Sequence, residues 1–300
     1  VPDFHPDLAR GRFIPPIAVG PRSLGLFRRL RSRPPAAPPD VLVREVAAAP
    51  GVTMRVHRPR ALTGPAPALL WLHGGGFVFG APEQDDAANT ALARELGITV
   101  AAVRYRLAPD HPAPAALQDA YAGLLALAGH DDVDPARIAV GGASAGGGLT
   151  ACLAQQAHDR GEVRPVLQLL RYPMLDDRTV LRTDLDVRGV RVWTPRSNRF
   201  GWTSYLGGPP GAPDVPPYAV AARRADLGGL PPAWIGVGTL DLFHAEDLAY
   251  AERLRGAGVP CEVVEVPGAF HGFDALFPRA GVVRDFRARE VAALRAALIG

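Results

Sequence analysis

Gly142-Ala143-Ser144-Ala145-Gly146 is a G-x-S-x-G pentapeptide, set between the apolar run "RIAVGG" and the helical pattern that begins "AGGGLTACLAQQ". A serine on a sharp strand-to-helix turn is held in a strained backbone conformation, with its hydroxyl exposed at the carboxyl end of the strand. Small neighbours suit the crowding of strand against helix. The turn also puts the next backbone N–H, that of Ala145, at a helix start, where negative charge is favoured. These are the requirements of a nucleophile. A serine nucleophile needs a base, and the base needs an acid to orient it. Asp241 follows the run "AWIGVG" and His271 follows "CEVVEV", each just past a strand. In the order Ser, Asp, His the three would meet at one sheet edge and carry acyl transfer. Other candidates are less well placed. His244, Glu246 and Asp247 lie in or near the following helix, His57 in an early strand, and His111, His130 and His158 in loops or on a helix surface.

The stretch "LLWLHGGGFVFG" (69–80) sets three glycines directly after a hydrophobic strand. Glycine weakens any regular element through backbone entropy, so bare backbone must be needed there. Acyl transfer from an ester passes through a tetrahedral oxyanion. Its stabilisation needs backbone N–H groups aimed at one point with no side chain in the way. Gly75 and Gly76, with Ala145, are the expected donors. A turn chosen for packing accounts for one glycine, not three. His73 reads as a residue that orients this loop, not as a catalyst.

The elements that must position these residues follow from the periodicity. Apolar, β-branched runs at 41–47, 52–58, 68–72, 98–103, 137–141, 166–171, 233–238 and 261–266 read as strands. Helical patterns at 84–96, 114–128, 145–159, 244–256 and 282–298 lie between most of them. Continuous apolar strands suit a parallel sheet covered on both faces. The alternation predicts a doubly wound α/β domain over 41–300, its first two strands pairing antiparallel. A rival reading of Gly146, Gly148 and Ala151 as a dinucleotide fingerprint fails on position. Those residues fall inside a helix, and no acidic residue closes the next strand.

Residues 177–230 break the alternation with polar, aromatic and proline-rich text, too long for an ordinary loop. We read this stretch as an insertion that caps the site. Phe77, Trp193 and Trp202 are the candidate substrate contacts. The alternative, that the insertion's aromatics form only its own small core, stays open. Residues 1–40 are arginine- and proline-rich and form a separate N-terminal segment ending in the stiff linker "RSRPPAAPPD". Ahead of that linker, "GPRSLGLFRRLRS" suits a short amphipathic helix or a solvated basic arm.

Composition excludes several classes. The 300 residues carry a net charge of only +3, and their 33 basic residues are all arginine. Without lysine there is no Schiff-base or pyridoxal-phosphate chemistry and no usual P-loop. The charge makes no case for nucleic acid. No apolar run reaches the ~18 residues of a membrane helix, and the opening "VPDFHPDLARGRF" lacks a signal-peptide pattern. Cys152 and Cys261 sit in core-like elements and read as free buried thiols, which suits a cytoplasmic location.

The chain resembles the hormone-sensitive-lipase-like (bacterial family IV) carboxylesterases of the α/β-hydrolase superfamily. The resemblance rests on "HGGGFVFG" (73–80), "VRYRLAPDHPAPAALQDA" (103–120), "GGASAGG" (141–147), "YPMLDD" (172–177), "GTLDLFHAEDLAYAERL" (238–254) and "AFHGF" (269–273), in the family's order. It implies an α/β-hydrolase fold with a mostly parallel eight-stranded sheet and a cap built from the N-terminal segment and the insertion. It also implies a Ser144–Asp241–His271 triad and hydrolysis of short-acyl esters without metal or cofactor. The expected partner is a small-molecule ester, with no nucleic acid and no membrane span, and with a homodimer as the assembly to test. Two departures stand out. Ala143 replaces the usual acidic residue or threonine before the serine, and Leu242-Phe243-His244-Ala245 replaces the frequent Pro-Leu-Arg-Asp. An acyltransferase or amidase with the same triad is an alternative. So is a binding module on this fold, though such relatives lose triad members.

Overall fold

The computed structural model describes residues 2–16, 18–29 and 36–300. Eight strands form one sheet: β1 (Val41–Ala49), β2 (Val52–Pro59), β3 (Ala66–Leu72), β4 (Thr99–Arg104), β5 (Val133–Ala143), β6 (Gln168–Arg171), β7 (Ala233–Gly238) and β8 (Cys261–Val266). Their spatial order is β1-β2-β4-β3-β5-β6-β7-β8. β2 runs antiparallel to both β1 and β4, and every other pair is parallel. All eight strands read from the sequence are present, as is the antiparallel pairing of the first two.

The long apolar runs have a plain cause. β3, β6 and β7 are buried along their whole length. Side chains alternate between faces with period two. Leu70, Leu72, Ala101, Val103 and Val140 point into one core layer, whereas Leu69, Trp71, Val100, Ala102 and Ala139 point into the other. The helices α1 (Leu24–Arg29), α2 (Asp86–Leu96), α3 (Ala115–Ala128), α4 (Ala145–Arg160), α5 (Pro195–Leu206), α6 (His244–Gly256), α7 (Phe273–Leu276) and α8 (Gly281–Leu298) complete the architecture. Leu117, Leu149 and Leu254 from α3, α4 and α6 fill the first layer; Leu92, Phe286 and Leu294 from α2 and α8 fill the second.

Sheet order places the chemistry. β4 and β5 flank β3, so the winding reverses beside β3, and the loops leaving β3 and β5 open side by side at the carboxyl edge. The glycine loop leaves β3 and the serine turn leaves β5. The loops after β7 and β8 fold back toward them. Leu240 N–H donates to Ala269 O at 2.9 Å, and Thr239 N–H to Val266 O at 3.1 Å.

Residues 177–230 hold α5 and two short 3₁₀ turns, Asp177–Leu181 and Ala221–Arg223. α5 starts where Thr194 accepts from Ser197 N–H at 3.2 Å and Pro195 opens the first turn, a cap worth about 1 kcal/mol. Buried Asp177 takes a bidentate bond from Arg223 at 2.8 and 2.6 Å, tying the two ends of the stretch together. The N-terminal residues lie against it: Val19 N–H donates to Ser197 Oγ at 3.0 Å. The short helix expected there forms as α1, and Arg28 is no solvated arm, since it donates to Val78 O at 2.9 Å and Ala108 O at 2.8 Å. Part of the proline-rich linker, 31–35, lies outside the described residues. Cys152 and Cys261 are both free, but only Cys152 is fully buried. Cys261 corrects the expectation because β8 is an edge strand, leaving its thiol half covered.

Candidate active site

Ser144 sits between the last residue of β5 and the first of α4, with φ 58° and ψ −122°. Such a conformation costs a non-glycine residue about 1–3 kcal/mol and persists only where neighbours enforce it. They do so here. Ser144 N–H donates to Arg171 O at 2.9 Å, and its carbonyl accepts from Met174 N–H and Gly148 N–H at 3.0 Å each. Gly146 is obligatory: a Cβ there would lie 2.0 Å from Leu72 O.

Ser144 Oγ lies 2.9 Å from His271 Nε2, and His271 Nδ1 lies 2.8 Å from Asp241 Oδ2. An ionised carboxylate only accepts, so Nδ1 carries the proton and Nε2 is left to accept from the serine hydroxyl. The second Asp241 oxygen accepts from Phe243 N–H at 3.0 Å, which fixes the carboxylate plane. All three side chains are buried. The rings of Tyr172 and Phe243 flank the imidazole edge-on, with centroids at 4.7 and 5.3 Å. The structure therefore brings together the three residues singled out from strand ends.

The glycine loop abuts the serine. A Cβ on Gly74 would lie 3.4 Å from Ser144 Cβ. Among the described residues, no backbone acceptor engages the N–H of Gly75 or Gly76. Ala145 opens α4, where a first-turn N–H has no intrahelical partner. His73 is buried and neutral: burial pushes its imidazole down to about 4. Its ring stacks on Tyr105 at 4.2 Å, and its Nδ1–H donates to Gly74 O at 2.9 Å. That contact matches the loop-orienting role expected for it.

Phe77, Trp193 and Trp202 are all buried and belong to one core layer with Tyr205. Phe77 stacks on Tyr205 at 4.0 Å and meets Trp202 at 5.3 Å. Trp193 lies directly on Gly76. Of the competing acids, Glu246 is buried, accepts from Leu175 N–H at 2.7 Å and Asp176 N–H at 3.2 Å, and bonds Thr179. Burial raises it to about 8, against those bonds. Asp247 is buried, and neither of its oxygens has a hydrogen-bond partner among the described residues. His244 pairs with Glu265. None of these three bonds His271 or Ser144. Sequence reasoning does not single out Tyr172 or Asp274, which surround the His271 loop. The available signal was position: "RYP" ends β6 at the same sheet edge.

Comparison with known proteins agrees with this architecture. A family model described as the α/β-hydrolase fold matches residues 69–275. Esterase LipI of Mycobacterium tuberculosis is 36% identical over 243 residues, spanning 78% of this chain and 74% of its own. Carboxylesterase NlhH of the same organism is 33% identical over 284 residues, spanning 91% and 88%. The solved structure of a bacterial heroin esterase superposes with a TM-score of 0.88 at 36% identity, covering 100% of this chain and 99% of that one. The chain belongs to the α/β-hydrolase family, in its hormone-sensitive-lipase-like group. Its enzyme class is carboxylic ester hydrolase. No helix among the described residues is long and apolar enough to cross a membrane.

Proposed function

We propose that this enzyme hydrolyses short-acyl esters through an acyl-enzyme on Ser144, with His271 as general base and acid and Asp241 as its orienting carboxylate. The observation that carries the reading is the unbroken hydrogen-bonded line from Ser144 Oγ through His271 to Asp241, at 2.9 and 2.8 Å. Ser144 Oγ attacks the ester carbonyl carbon while its proton passes to His271 Nε2. Asp241 stabilises the imidazolium, and the oxyanion takes hydrogen bonds from Gly75, Gly76 and Ala145. The imidazolium then protonates the departing alkoxide. Water, deprotonated by His271, attacks the acyl-serine carbonyl, and the imidazolium returns that proton to Ser144 Oγ as the carboxylic acid leaves.

The N-terminal segment and residues 177–230 act as the cap; of the candidate contacts, Trp193 bounds the acyl side of the site, while Phe77 and Trp202 pack together in the cap's core. A buried aromatic wall favours small acyl groups over long chains. Two unpaired thiols suit a cytoplasmic setting.

The test is Ser144→Ala on a chromogenic acetyl ester. A loss in kcat of roughly 10⁴-fold or more is expected with the fold intact, because triad members act as a unit. Turnover near the parent rate in the purified variant overturns the assignment.

A further inference from the structure

Behind His271 lies a buried polar cluster that the acyl-transfer steps do not use. Tyr172, the residue after β6, is buried and has a φ of +34°, an unusual conformation for a bulky side chain. Its hydroxyl donates to Asp274 Oδ1 at 2.6 Å. Asp274 is also buried and stands three residues after His271, at the start of the short helix α7. Its other oxygen lies 3.5 Å from Arg171 Nη1, and Arg171 is itself held by Glu290 of α8 through bonds of 2.8 and 2.7 Å. The contacts close a ring: the Tyr172 side chain touches the imidazole at one end and the histidine's own loop at the other. Arg171 also supplies the carbonyl that takes Ser144 N–H. One pair of adjacent residues at the end of β6 thus reaches both the nucleophile's backbone and the base's loop.

We propose that Tyr172 and Asp274 are positioning residues that staple the His271 loop to the end of β6 and hold Nε2 in line with Ser144 Oγ. Asp241 fixes the tautomer and one edge of the imidazole, and Leu240 N–H and Arg287 Nη2 hold the loop backbone at Ala269 O and Asp274 O. The phenol–carboxylate bond adds a side-chain link between this loop and the ring that packs on the imidazole. A buried carboxylate needs its donors, and Tyr172 supplies the shortest one. A displacement of about 1 Å at a reacting group is enough to cost up to about 10²-fold in rate.

The inference rests on His271 being the base, and the experiment separates the two. Tyr172→Phe, Asp274→Ala and the double variant are compared with the parent and with Ser144→Ala on p-nitrophenyl acetate. Active sites are titrated with a serine-directed phosphonate, and melting is followed by circular dichroism. Each single variant is expected to lower kcat per titrated site roughly tenfold with KM within about twofold. The double variant is expected to fall no further than the worse single. Parent-like kcat in Tyr172→Phe overturns the staple, as do losses that multiply in the double variant; a lowered melting temperature with unchanged kcat means packing alone. If Asp274→Ala fails to fold, the kcat of Tyr172→Phe decides by itself. If Ser144→Ala retains activity, it is the triad reading that has failed.

Discussion

The indole of Trp193 occupies the space that a side chain on Gly76 would need: an ideal Cβ at Gly76 would stand 1.9 Å from Trp193 Cη2. Gly76 also has φ +60°. The insertion and the glycine loop are therefore fitted to each other at the point where an oxyanion donor is proposed. Gly76→Ala has to push the indole aside or move the loop. A loss in kcat of roughly 10²-fold or more is expected, the scale of losing one oxyanion donor. Steady-state rates on p-nitrophenyl acetate check it, and a parent-like kcat means that Trp193 and the loop absorb the added methyl without displacing a donor.

The two tryptophans are expected to differ. Trp202 is 1% exposed and packs on Phe77 and Tyr205. Trp202→Ala should cost about 3–5 kcal/mol of stability and leave the acyl-length preference unchanged. Trp193 lies against the glycine loop, so Trp193→Ala should open room beside the reacting carbonyl. Each further buried methylene is then worth up to about 0.8 kcal/mol, and the preferred acyl length should rise. Rates across acetyl to octanoyl esters, with melting temperatures alongside, test both halves. An unchanged length profile in Trp193→Ala removes it from the pocket.

Asp241 and its buried neighbours separate by function. Asp241→Asn favours the wrong imidazole tautomer and should cost roughly 10⁴-fold in kcat. Asp247→Asn and Glu246→Gln should keep most of the activity, because neither carboxyl bonds His271. A dead Asp247→Asn that still folds would reverse this order.

Glu246 carries a stability signature as well. Burial lifts its carboxyl from the ordinary 4.5 to about 8. Between those values the folded protein keeps a proton that the unfolded chain has lost. Stability therefore falls with rising pH across that window and is lowest, for this group, above about 8. Glu246→Gln cannot ionise, so its melting temperature should decline less than the parent's between about pH 5 and pH 9. Asp247, raised by burial and by nearby Glu246 and Asp241, acts in the same direction and leaves part of the slope. Parallel declines in the two proteins would mean that Glu246 ionises freely within the fold.

The proposed catalytic constellation was legible because each member stands at a strand end marked by its own text. "GGASAGG" announces the serine turn, and Asp241 and His271 each follow an apolar run. Strand ends are local features, and chain order supplies the rest. The staple was not legible, because it depends on pairings that no local pattern records. Arg171 ends a fully buried strand, and its carboxylate partner Glu290 is 119 positions away. A charge in a buried strand looks like an error until its partner is known. The contact of Trp193 with Gly76 is hidden for the same reason. Both residues read as typical of their segments, and only the folded chain brings them within van der Waals range.

The Asp177–Arg223 pair also makes the intervening stretch a cassette. Its two ends are latched to each other by a buried ion pair, and Glu246 and Arg253 of α6 bind the chain beside the latch, Arg253 through Ala222 O at 2.6 Å. Inside the cassette, Trp193 packs on Gly76, and Trp202 and Tyr205 pack on Phe77, so these aromatic contacts are what a replacement has to keep. The entropy of closing a loop grows only with the logarithm of its length. Segments of different length are expected to be tolerated between 178 and 222 where they keep both the latch and these aromatic contacts, so chimeras of that kind are the natural route to altered selectivity.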